Sequence, residues 1–82
     1  MSAHAELIAR VDDHALRAIG AHERAYARAA AARERHQSVR ASGADETDLA
    51  HARSELVMAL AMALAAEAAV LEAEDARLVA RS

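Results

Sequence analysis

The chain has 82 residues, thirteen acidic and ten basic side chains, a formal net charge of −3, no proline, two glycines, no cysteine and one aromatic, Tyr26. That length predicts one small domain spanning 1–82, near the limit at which a single core suffices. The missing cysteines exclude a disulfide framework or a thiolate metal site. With 26 alanines and almost no Pro or Gly, the composition excludes a turn-rich β fold and predicts an all-α protein.

The segment Met1-Ser2-Ala3-His4-Ala5-Glu6 has no basic stretch followed by an apolar one, so no signal peptide is expected and a cytoplasmic location is the default. A first helix is expected over about 3–41. Gly20 weakens it by ~1 kcal/mol relative to Ala, and a kink or break there is the alternative to one continuous helix. The clear break is Ala41-Ser42-Gly43-Ala44-Asp45. Gly43 suits a left-handed C-terminal cap. Asp45 suits the N-cap of a second helix over about 46–80, with Glu46 and Asp48 in its first turn and Thr47 as a competing cap. A turn of about 42–45 makes the helices antiparallel neighbours, a long hairpin that is expected to pair into a four-helix bundle.

The first helix carries an arginine stripe. Arg10, Arg17, Arg24, Arg28 and Arg35 fall on one side at 100° per residue. The stripe has two readings: a rail for RNA, DNA or an acidic partner, or a solvated face supported by Glu6–Arg10 and Asp13–Arg17 pairs at i,i+4. No aromatic interleaves for base stacking and there is no lysine. Another side of this helix carries Ile8, Val11, Ala15, Ala18, Ile19 and Tyr26, with His4, His22 and His36 in the same sector.

The second helix is apolar on almost every side between Leu56 and Leu71. Leu49, Leu56, Leu60, Leu64, Leu71 and Leu78 are read as one stripe. Met58, Met62 and Ala69 form another, roughly opposite. One stripe packs inside the chain and the second wants another chain. The expected core sets Leu56, Leu60, Leu64 and Leu71 against Ile8, Leu16, Ile19 and Tyr26, within or across the hairpin, so that Leu60→Ala costs on the order of 2–5 kcal/mol. The apolar run is shorter than the ~20 residues of a membrane span and Glu67 interrupts it, so no span is expected. The charges differ between halves: residues 1–43 hold seven arginines against five acids, residues 44–82 three against eight, which favours pairing of unlike helices.

Glu67 and Glu74, seven apart within the leucine stripe, require partners if buried. In a hairpin turning near residue 43, Glu67 falls near His22, Glu74 near His14 and His51 near His36. This arrangement reads as polar layers fixing register, with a His/Glu metal site of His22, Glu67 and Glu74 as the alternative. The Glu-x-x-His signature of di-iron bundles is absent, as are a phosphate-binding loop, a nucleophile elbow and a zinc-protease motif, so a non-enzyme without cofactor is expected.

The glycine turn and the apolar second helix resemble the layout of small hairpin co-chaperones of bacterial type III secretion and of RNA-binding helical-hairpin dimers. The likeness lies in architecture. The function expected from the residues is a small adaptor or assembly subunit. It forms a homodimer or hetero-oligomer with another helical protein and docks it on Met58, Met62, Ala69 and Leu64. A nucleic-acid-binding dimer using the arginine stripe is the alternative.

Overall fold

A computed structural model describes residues 2–82, and Met1, part of the segment read for a leader, lies outside them. Two helices, α1 (Ala3–Ala41) and α2 (Glu46–Arg81), pack against each other as an antiparallel hairpin with Cα extents of 62 × 14 × 13 Å. Ser2 caps α1 by accepting from the Ala5 amide, and Asp45 caps α2 by accepting from the Asp48 amide at 2.9 Å. Both caps satisfy donors that no turn of helix would reach. Gly43, at φ 71°, takes the left-handed conformation that reverses the chain. α1 runs unbroken through Gly20.

The interior differs from the expected leucine core. Among the described residues the buried side chains are alanines alone: Ala15, Ala25, Ala29 and Ala32 of α1, and Ala52, Ala73 and Ala80 of α2. Half-buried residues complete the pattern, with Ile8, Val11, Ala18, His22, His36 and Val39 on α1 and Leu49, Leu56, Ala59, Ala63, Ala66, Val70 and Arg77 on α2. On each helix these positions alternate at spacings of three and four, the repeat of a two-helix seam. On α2 one seam row is alanine at every seventh residue: Ala52, Ala59, Ala66, Ala73 and Ala80.

Only Leu49 and Leu56 of the expected leucine stripe join this seam. Leu60 sits at its edge, 37% exposed, while Leu64, Leu71 and Leu78 point outward, with Leu64 67% exposed. Leu16 and Tyr26 are also outside. The reason is geometric. Seven-residue spacing does hold Val57, Leu64, Leu71 and Leu78 in a row, but that row stands five residues from the alanines, about 140° round the helix and turned away from α1. Small residues permit closer approach of two backbones than bulky ones, and the alanine row of α2 meets Ala18, Ala25 and Ala32 on the facing side of α1. The large cost expected for Leu60→Ala therefore does not apply to the hairpin itself.

Ion pairs fix register. Arg35 Nε donates to Glu55 at 3.3 Å near the turn, and at the open end Arg77 Nε and Arg81 Nη2 donate to the two carboxylate oxygens of Asp12 at 3.1 and 2.7 Å. The hairpin is thin. Its accessible surface of 6072 Å² exceeds the ~4,700 Å² of a compact protein of this mass. By length and composition α2 also meets the requirement for crossing a membrane, over an 18-residue stretch. The shortfall argued from run length does not hold by this measure.

Ala73, 1% exposed, has no room for added bulk. Ala73→Leu should destabilise by about 1–3 kcal/mol, a fall in Tm of roughly 5–20 °C for a chain of this size. Ala61→Leu, on the exposed outer face, should leave thermal denaturation within ~0.5 kcal/mol of the parent.

Candidate functional site

Two grooves run beside the alanine seam, one on each flank of the hairpin. The first is lined by Ala25, Arg28, His51, Ser54, Glu55, Met58, Ala59 and Met62. The second is lined by His22, Tyr26, Ala29, Ala30, Arg33, Leu60, Ala63, Leu64 and Glu67. Seam geometry explains the division. On α2, Met58 and Met62 lie on one side of the alanine row and Leu60 and Leu64 on the other. On α1, Arg28 and Arg35 flank the seam on the methionine side, whereas Ile19, Tyr26 and Arg33 flank it on the leucine side.

The hairpin therefore separates one set of expected site residues and unites two others. Leu64 is on the opposite flank from Met58 and Met62, and Ala69 is exposed on the same side as Met62, seven residues along. The arginine stripe, readable on the first helix in isolation, falls on the methionine flank: Arg28 shares a groove with Met58 and Met62. That coincidence is not legible without the register and handedness of the pairing.

All five stripe arginines are exposed. Arg17 pairs with Asp13 at 3.0 Å, and Arg35 with Glu55, whose other carboxylate oxygen lies 3.1 Å from His51 Nε2. Among the described residues Arg10, Arg24 and Arg28 have no carboxylate within 4.0 Å, and the expected Glu6–Arg10 pair is not formed. Of these three cations Arg28 lines the methionine groove. Met58 is 64% exposed, and its unbranched thioether adapts to the shape of whatever packs on it.

The histidine and glutamate layers take a different form from the one expected. Glu67 is exposed on the leucine flank and lines the groove with His22, with no hydrogen bond between them among the described residues. The His22 ring instead lies 6.3 Å from that of Tyr26. Glu74 pairs with Arg77 at 3.5 Å rather than with His14, which lies across the seam on the other flank. His51 turns to Glu55, leaving His36 in the seam with a buried Nε2 that has no partner. The described residues include no group of three His, Asp or Glu side chains placed to hold a metal ion. His22, Glu67 and Glu74 are thus not assembled as ligands.

Asp12 is the most strongly engaged carboxylate. The hydrogen bond from Arg81, seconded by that from Arg77 and by both positive charges, holds its pKa below the ordinary carboxylate range against the opposing effect of desolvation. Comparison with protein-family models, with curated proteins and with solved structures finds no match to this chain.

The Asp12 fork gives a pH test. Because its folded-state pKa is lowered, its stabilising contribution is present above the unfolded value near 4 and is lost as pH falls through the folded value. Asp12→Asn should melt below the parent at pH 7, and the gap should close as the pH is taken below about 4. A second test concerns His36. Removing its unsatisfied buried nitrogen in His36→Leu should raise stability by about 1 kcal/mol, read as a higher Tm.

Proposed function

We propose that this protein is a non-catalytic assembly factor that receives an amphipathic helix bearing acidic residues, contributed by a partner protein, in the groove of Met58 and Met62. The observation that carries the reading is the placement of Arg28 in that same groove, with Arg24 and Arg10 further along the flank and free of carboxylate partners among the described residues. A helix laid in a groove uses its apolar stripe for affinity and its flanking charges for orientation and partner choice. Here methionines and alanines offer the apolar floor and arginines one rim. Ala69 extends the floor toward the open end of the hairpin.

The arrangement fits nucleic acid less well. Its single aromatic, Tyr26, lies on the leucine flank, so no base-stacking platform accompanies the arginines. The two partners also differ in salt response. Release of counterions from five phosphate contacts would weaken binding roughly 10²–10³-fold between 50 and 200 mM salt, whereas apolar docking has no such dependence.

Affinity capture from the native host, comparing the parent with Met58→Glu, Met62→Glu and repeated after nuclease treatment, tests the proposal. The expected result is a protein partner that survives nuclease and about 200 mM salt and is lost from the double variant. Identical captures by parent and variant, or a catch removed by nuclease, overturn it.

A further inference from the structure

The leucine flank remains. Leu64, Leu71, Val57, Leu16 and Tyr26 are all exposed there, each by more than half its surface. The hairpin exposes roughly 1,300 Å² more than a compact protein of its mass, above the ~800 Å² that each partner buries in a standard interface. Charges on the flank say what covers it. On α2, Arg53, Val57, Leu60, Leu64 and Glu67 recur at spacings of four and three, so they share one face. Arg53 and Glu67 stand seven residues either side of Leu60. On α1, Glu23 and Arg33 stand five residues either side of residue 28, which the Arg35–Glu55 and Asp12–Arg77 pairs bring close to the level of Leu60. Among the described residues none of these four charges has an ion-pair partner.

We infer that the leucine flank is covered by a second copy of this chain, turned end for end about a two-fold axis that lies in the interface, perpendicular to the helices, at Leu60. The operation sets Leu60 on its own mate and Val57 on the mate's Leu64. It lays Arg53 over Glu67 and Arg33 over Glu23 of the other copy, each pair made twice. The alternative two-fold, along the helices, faces α1 with the mate's α2 at the same level. It brings Arg33 against Arg53 and Glu23 against Glu67, two juxtapositions of like charge, whereas the axis at Leu60 makes one, Glu46 over the mate's Glu74, whose charge Arg77 already offsets. The result is a four-helix bundle with alanine seams inside each chain and a leucine seam between chains. The Met58 groove stays open on the outside, so this inference stands independently of the proposed partner.

The absence of cysteine allows a direct test. Leu60→Cys places a thiol at the axis and should cross-link to its own mate on mild oxidation, since paired Cβ atoms must come within about 4 Å. Leu71→Cys, at a more exposed position but eleven residues from the axis, has its mate roughly 30 Å away and should stay uncross-linked. In sedimentation equilibrium, Glu67→Arg should weaken the dimer at least about tenfold with helix content unchanged. Adding Arg53→Glu should restore the dimer, while Met58→Glu, Met62→Glu should not affect it. A parent that is monomeric at about 100 µM overturns the inference. So does cross-linking of Leu71→Cys to the same extent as Leu60→Cys, or a charge swap that fails to restore association. A monomer that transfers to phosphatidylcholine vesicles also overturns it, assigning the flank to lipid.

Discussion

A helix offers a neighbour one stripe, about a third of its circumference, and a hairpin has only one neighbour to offer it. α2 carries three apolar stripes side by side: alanine, leucine and methionine. The hairpin uses the alanine stripe, because small residues on both helices permit the closest approach of the backbones. Everything else about the surface follows. The two stripes bracketing the seam are left on opposite flanks, each bordered by whatever α1 presents there: arginines beside the methionines, Tyr26 and Ile19 beside the leucines.

This choice leaves the hairpin poorly covered. Burying an alanine methyl removes little area from water, on the order of 0.8 kcal/mol per carbon, and among the described residues no large side chain is fully buried. Interhelical ion pairs at both ends orient the helices more than they stabilise them, since solvent screens exposed charges. The apolar area that a globular protein would place inside is on the outside, where it is available for association. A thin core and an apolar surface are therefore two aspects of one packing decision.

Much of the secondary structure is legible in the residues. Alanine content predicts helix, Gly43 and the acidic segment after it predict the turn, and Asp45 is the cap that forms. The core is not, because bulk is a poor sign of burial in this chain. Leu64 and Leu71 are the larger residues, but the seven-residue repeat Ala52, Ala59, Ala66, Ala73, Ala80 is the row that matches the small residues of α1. The complementarity belongs to the pair of helices, and neither helix shows it alone. The same holds for the surface: the arginine stripe and the methionines are each readable, but their meeting on one flank depends on register. The expected polar layers differ from the observed ones in direction. His14 and Glu74 stand at matching heights on opposite flanks, so numbering that sets them side by side cannot see the seam between them.

The seam has one further property. Its contacts join α1 to α2 without regard to whether the two belong to the same chain. If the turn straightened, α1 and α2 would merge into a single rod of about 110–120 Å, and two such rods lying antiparallel would recreate every alanine contact twice. The closed hairpin and this exchanged dimer differ in contacts only at the turn. What separates them is Gly43 at φ 71°, an angle that costs a residue with a side chain roughly 1–2 kcal/mol. One glycine in the loop thus lowers the cost of the closed form, in which a chain completes its core with itself.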